Sequence, residues 1–424
     1  LIEPLLPSGH VDRKSAELRE QKMAYKAGLL LRVESDPSLA SASNANYWRV
    51  KAYRYQRSNT SDPLSDPVLD AMGDPTLIEV NLPADIIGNP NANMNSVEDD
   101  NMERYAYNSS YWWRPTLGGL YDHRENKGIS LLGLDVGKLK SYIDAKDNSP
   151  SGFNNTYDVD KDWNGVVYVE FPTATTRNAD GSFNYGTSSS KNDYNIVPAA
   201  FNDIALMVMD AREIPEPANA SQEGFTLTTN APMYTVGSFN ANGSSHSNDA
   251  YTTDDADELP AALMADTITV LSDNWPSNRY YSYLDGRSYL SNYRRANSFV
   301  EISAALVSGT PNTIPSSASY PGVSSSRPLS LGVVNLPRFL EYWTSRTLTI
   351  RGSLVSLYES EVRPLGAPTN FNDFYTPPIR DWGFNELFGS GSYPPGTPLL
   401  RTYRRLMFEQ IDKASYESSI AGTN

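Results

Sequence analysis

The chain has 424 residues, a formal charge of −15, no cysteine, and 39% hydrophobic against 20% charged side chains. That charge excludes nucleic acid as a partner, because counterion release from a phosphate backbone would not drive association, and the lack of cysteine excludes disulfides, thiolate nucleophiles and Cys-based metal sites. With 27 Tyr, 27 Gly and 29 Pro, the composition favours short strands joined by polar turns over long helices.

The chain begins on Leu1 and holds no run of about 18 apolar residues, so any signal or membrane anchor is expected upstream of Leu1. Residues 12–27, DRKSAELREQKMAYKA, join good helix formers to an Asp12 cap and a stopping Gly28, which predicts one short helix. Strand-like runs follow at 29–34, 47–57 and 76–82. In WRVKAYRYQ, apolar or aromatic residues alternate with basic ones at the period of two that a half-buried strand requires. The stretch 83–104 reads as a long loop and leads into an aromatic patch, Tyr105, Tyr107, Tyr111, Trp112 and Trp113. That patch is either core beneath the loop or a stacking surface for sugar or a partner protein. Asp135 is then placed to cap an amphipathic helix with Val136, Leu139, Tyr142 and Ile143 on one face. A polar linker at 147–156 closes a smaller α+β region, 1–150.

From Val166 the pattern changes to short strand runs: VVYVEF, IALMVM, FTLTTNAPMYTVGSF, ALMADTITVLS, VEISAALVSG and LTIRGSLVSLY. Several consist of two pieces around a small or polar corner. A mainly β fold follows, with a β-solenoid or β-helix-like region at 151–362 whose layers bury a face only by stacking on their neighbours. Like positions recur at intervals of roughly 20 to 50 residues, so long inserted loops are expected. β-sandwich domains are the alternative, although they would space their strands more evenly, at about 8–12 residues. The proline-rich end, 363–424, is expected to cap the last layer, because an open sheet end invites aggregation.

The runs FTLTTNAPMYTVGSFN, PAALMADTITVLSDNW, EISAALVSGT, NLPRFLEYWTSRTLTIRGSLVSLYES, YTPPIRDWGFNELF and PPGTPLL, in this order, resemble the C-terminal module of large PilX-like, prepilin-type pilus-assembly proteins. The likeness spans about half the chain, residues 204–411. It implies export through, or assembly with, a type IV pilus or type II secretion system, with the β-rich module displayed outside the inner membrane. The hydrophobic prepilin helix of that family does not occur within the sequence.

The sharpest local motif is DVDKDWNG, in which Asp158, Asp160, Asp162 and Asn164 alternate just ahead of a strand. Alternating oxygen side chains suit a hard cation such as Ca²⁺, which takes about 6–8 oxygen ligands. The EF-hand pattern is not met, since Gly165 and Val169 stand where it differs. A solvated acidic turn is the other reading. The run Asp254, Asp255, Asp257, Glu258 reads as a charged loop, or as paired carboxylates acting on a polysaccharide, with Asp266 then projecting from a strand edge or forming a hydrogen-bonded corner. Trp275, Trp343 and Trp382 either plug the fold or line a glycan-binding face with Tyr280, Tyr281 and Tyr283. His10, His123 and His246 are scattered, and no nucleophile elbow, P-loop or dinucleotide fingerprint occurs.

These readings lead to the expectation of a non-catalytic structural or adhesive protein of a pilus-like filament at the bacterial cell surface, extracellular, with other filament subunits or copies of itself as partners. A carbohydrate-active β-helix enzyme and a passive glycan-binding module are the alternatives.

Overall fold

A computed structural model of the chain describes residues 1–4, 16–35, 48–59, 61–71, 73–83, 86–87, 118–122, 127–147, 157–171, 204–217, 223–241, 258–273, 275, 296, 299–310, 336–360 and 376–397. Its strands are β1 (Leu29–Ser35), β2 (Trp48–Tyr55), β3 (Leu77–Val80), β4 (Gly118–Asp122), β5 (Lys127–Asp135), β6 (Val166–Glu170), β7 (Ile204–Met209), β8 (Phe225–Thr229) and β9 (Met233–Val236). They continue with β10 (Ala261–Ala265), β11 (Ile268–Leu271), β12 (Phe299–Ser303), β13 (Ala305–Thr310), β14 (Pro337–Phe339), β15 (Thr347–Arg351), β16 (Leu354–Glu359) and β17 (Ile379–Gly383).

Among the described residues these strands form three sheets. The first has eight strands in the order β16, β13, β10, β8, β6, β1, β2, β3; the second has six, β14, β11, β9, β7, β5, β4; the third has β12, β15, β17. β1 pairs antiparallel with β2, β2 with β3 and β4 with β5. The other strand pairings are parallel. The protein is therefore mainly β with mostly parallel sheets, whereas the β-sandwich alternative is built from antiparallel ones.

Register explains the packing. In the first sheet, Leu29, Val167, Leu227, Leu263, Leu306 and Leu354 are successive partners across six strands, and all six contribute to one apolar core. In the second sheet, Leu132, Leu206, Met233 and Ile268 make a similar column, as do Ile302, Ile350 and Trp382 in the third. Trp163, Phe225 and Phe239 stack between them with centroids 6.3 and 6.4 Å apart. A parallel sheet needs cover on both faces. The outer face of the first is covered by Ile2, Met23, Ala24 and Ala27, packed on Leu30, Tyr168, Met264 and Val307.

Several sequence expectations are met. FTLTTNAPMYTVGSF divides into β8 and β9, ALMADTITVLS into β10 and β11, VEISAALVSG into β12 and β13, and LTIRGSLVSLY into β15 and β16. Asp135 caps the helix Val136–Asp147 by accepting from the Lys138 N–H at 2.9 Å, and Val136, Leu139, Tyr142 and Ile143 are buried.

Other features differ. The first helix is two, Ala16–Gln21 and Met23–Lys26, because the Met23 N–H donates to the Leu1 carbonyl at 2.9 Å and leaves Lys22 extended. Both larger sheets run through residue 150, since β1 pairs with β6 and β5 with β7. Past residue 363, β17 extends the third sheet, and residues 394–397 return to the N-terminal layers.

Leu263 lies at the centre of the aliphatic column and is fully buried. Leu263→Ala is expected to destabilise the protein by about 2–5 kcal/mol. Leu357→Ala, at a side chain 63% exposed, is expected to change stability by less than about 0.5 kcal/mol. Chemical denaturation of the two variants checks the contrast, and equal costs would contradict the packing.

Candidate functional site

The DVDKDWNG segment forms a one-turn helix, Val159–Asp162, directly before β6. Its polar side chains are engaged within the protein. Asp162 is buried, accepts from the Asp158 N–H at 2.8 Å and pairs through Oδ1 with Arg54 Nη1 at 3.3 Å. Asn164 donates to the carbonyls of Lys26 (2.8 Å) and Pro63 (3.4 Å) and accepts from the Val166 N–H at 3.1 Å. Asp158 pairs with Lys161, and Asp160 is exposed. The motif thus ties the Lys26–Gly28 segment and β2 to the start of β6. Among the described residues, no group of three or more His, Cys, Asp or Glu side chains is placed to hold a metal ion.

Burial pushes the Asp162 carboxyl above the usual carboxylate range, while the Asp158 N–H and Arg54 pull it back. Two further charges on β1 and β2 are paired. Arg32 binds Glu170 through two nitrogens at 3.2 Å each, and Lys51 meets Glu79 at 3.2 Å. The basic residues Lys51 and Arg54 of β2 thus pair with Glu79 and Asp162 on neighbouring segments.

A second polar cluster lies where the chain enters the third sheet. Ser303 Oγ donates to Glu258 Oε1 at 2.6 Å and lies 3.3 Å from Glu301 Oε1. Having one proton, the hydroxyl serves the shorter contact. The Glu301 N–H donates to Ser238 Oγ at 3.1 Å, and Asn240 Nδ2 donates to the carbonyls of Leu259 and Ser303, each at 2.8 Å. Asn240 has φ of 50°, a left-handed conformation that asparagine tolerates better than most residues. A glycan-cleaving site needs two carboxylates that flank the scissile bond in an open cleft. Here Glu258 is 7% and Glu301 2% exposed, so they join layers and do not line an open groove.

Along the same sheet, Arg351 Nη2 pairs with Asp381 Oδ2 at 3.0 Å, and Thr349 Oγ1 donates to that oxygen at 3.2 Å. The corner between the first two sheets is polar as well. Asn230 bonds the Phe171 N–H and carbonyl at 2.8 and 2.7 Å, and Asp266 accepts from Ser360 Oγ at 2.7 Å. Asp266 is buried, so it forms the hydrogen-bonded corner and does not project into solvent.

Trp275 and Trp343 are fully buried, which removes them from any stacking face. Trp382 is half-buried, packs against the main core and carries Arg380 at 5.0 Å from its ring centroid. The aromatic patch at 105–113, Asp254, Asp255, Asp257, Tyr280, Tyr281, Tyr283 and the three histidines lie outside the described residues. Sequence reading missed Asn240, Glu301 and Ser303; the available signal was a lone glutamate inside the apolar run FVEIS. Glu341, fully buried and accepting from the Ser272 N–H and hydroxyl, carries the same signal between Leu340 and Tyr342. Compared with protein-family models, with curated proteins and with solved structures, the chain finds no match.

In the fold Asp162 holds its proton more tightly than in the unfolded chain. Its contribution to stability is thus fullest below the ordinary value of 3.8 and is lost as pH rises through the raised one. Wild type is expected to lose stability relative to Asp162→Asn as pH rises above the ordinary value of 3.8, read as converging or crossing melting curves; a constant offset would contradict the assignment. Ser303→Ala is expected to cost about 1–3 kcal/mol, because it strips a donor from a buried carboxylate. Calorimetric titration with calcium tests the cation reading of the motif: saturable heat abolished by Asp160→Asn would support it, and heat absent or unchanged in Asp160→Asn would contradict it.

Proposed function

We propose that the chain is an extracytoplasmic structural or adhesive protein of a type IV pilus-like bacterial surface apparatus, and that its parallel sheets are the walls of a β-solenoid. The observation that supports this reading most is the in-register column from Leu29 to Leu354. Successive passes of the chain contribute like residues to like positions, which is the economy of a stacked repeat. In this reading β8 and β9, then β10, β11 and β12, then β13, β14 and β15 are consecutive coils. The third sheet begins at Phe239, bridged in parallel to Ile302.

The resemblance to PilX-like proteins supports the same reading, because most of its blocks fall on strands of the stack. FTLTTNAPMYTVGSFN is β8 and β9, PAALMADTITVLSDNW is β10 and β11, and YTPPIRDWGFNELF spans β17 and the helix Glu386–Ser390. A stack of this kind acts as a stiff spacer with loops on its sides. It needs no catalytic residue, and its carboxylates at Glu258, Glu301 and Asp266 serve as internal joints. Partners are other filament subunits or further copies of the chain.

The test uses the chain with its natural upstream sequence, tagged and expressed in its own bacterial host. Antibody labelling and protease sensitivity on intact cells are expected, both lost when the pilus or type II secretion machinery is disabled. Retention inside intact cells under all conditions would contradict the proposal.

A further inference from the structure

The chain's last described segment makes a contact that stacking does not require. After the helix Glu386–Ser390 the backbone turns at Gly391, with φ of 98°, and residues 394–397 lie across the outer face of β6 and β8. Thr226 Oγ1 donates to the Pro395 carbonyl at 2.7 Å, and Lys26 Nζ donates to the Gly396 carbonyl at 3.0 Å. The strap closes its own turn through the Thr397 N–H and the Pro394 carbonyl at 3.1 Å. Pro394 and Pro395 are buried there.

The bed beneath the strap is shaped by missing side chains. A Cβ on Gly165 would meet the Gly224 carbonyl at 2.6 Å and Pro395 Cγ at 2.7 Å, and one on Gly224 would meet the Pro260 carbonyl at 2.2 Å and Pro395 Cδ at 3.0 Å, so the bed is closed to side chains by both the neighbouring layer and the strap. The fit is reciprocal, since a Cβ on Gly396 would come within 2.7 Å of Met23 Cε and 3.1 Å of Val166 Cγ2. Bed and strap are 370 residues apart in sequence at the Lys26 contact. Among the described residues, bed and strap are tied by two side-chain hydrogen bonds to strap carbonyls and by proline packing. Nothing in that set requires both partners to belong to one chain. The hinge leading to the strap also leaves Phe384 62% and Tyr393 48% exposed, apolar surface that a neighbouring molecule would cover.

We propose that the glycine-floored bed on β6 and β8 is a docking site for a Pro-Pro-Gly strap, filled in cis within one chain and filled in trans by the strap of a second copy. Exchange of an identical segment creates the same contacts between molecules that it removes within them. Its balance is therefore set by hinge geometry and protein concentration. The inference rests on the strap geometry and is independent of the surface assignment.

Because the chain has no cysteine, single thiols report the contact cleanly. Two full-length, differently tagged variants, Lys26→Cys and Thr397→Cys, are mixed at increasing concentration and treated with a short bifunctional maleimide. A chain carrying both substitutions controls for docking in cis. The expected result is internal crosslinking in the double variant and, in the mixture, heterodimer several-fold above either homodimer. That excess rises with concentration and disappears when Gly396→Val is added to the Thr397→Cys chain. Internal crosslinking with no excess of heterodimer would overturn exchange in trans. Absence of crosslinking in both would overturn the docking site itself.

Discussion

The structure depends on one constraint: an aliphatic column can become dry only when neighbouring strands stand in register. Leu227 alone presents an apolar side chain to water on either side of its strand; between Val167 and Leu263 it does not. Each strand of the first sheet therefore needs the next, and the same holds for Leu206, Met233 and Ile268 in the second. Parallel pairing follows, because like positions on successive passes can align only if the strands run the same way. It also demands cover on the outer face, which Met23, Ala24 and Ala27 provide over Leu30 and Tyr168. At the N-terminal side the pattern ends in antiparallel β2, β3 and β4, whose pairing needs no further crossover.

Polar residues are fitted to this arrangement. A carboxylate or amide at a corner satisfies backbone groups that the ladders leave over, as Asn230 does for Phe171. Buried Glu258 and Glu341 accept hydrogen bonds from serines or backbone of neighbouring layers. Removing such a donor leaves charge in a dry interior and costs more than the bond's net worth. Acidic residues that suggest chemistry in the sequence thus act as joints in the structure. Asp162, held between the Asp158 N–H and Arg54, is the clearest instance.

Much of the fold was legible. Period-two runs with a polar or small corner marked β8 to β11, and FVEIS followed by AALVSGT marked β12 and β13, because alternation and β-branched content are local properties. The Asp135 cap was legible for the same reason. β14 was not, since it is three residues long and begins with Pro337, which an edge strand accepts. β17 was hidden because IRDWG shows no alternation and lies in a proline-rich stretch; its pairing with β15 supplies the order. The partners of Glu301, Asp162 and Gly396 were unreadable for a deeper reason. They come from segments tens to hundreds of residues away, brought together by the stack itself, as Ser238 is for the Glu301 N–H.

The dependence of each layer on the next is tested most directly by native-state hydrogen exchange. β8, β10 and β13 are each bonded on both sides within the first sheet. Their amides are expected to exchange through one shared opening with a common free energy, while those of β14, β16 and β17 at the sheet ends exchange faster. Opening of β8, β10 and β13 at separate, unrelated free energies would contradict a core that is dry only as a whole.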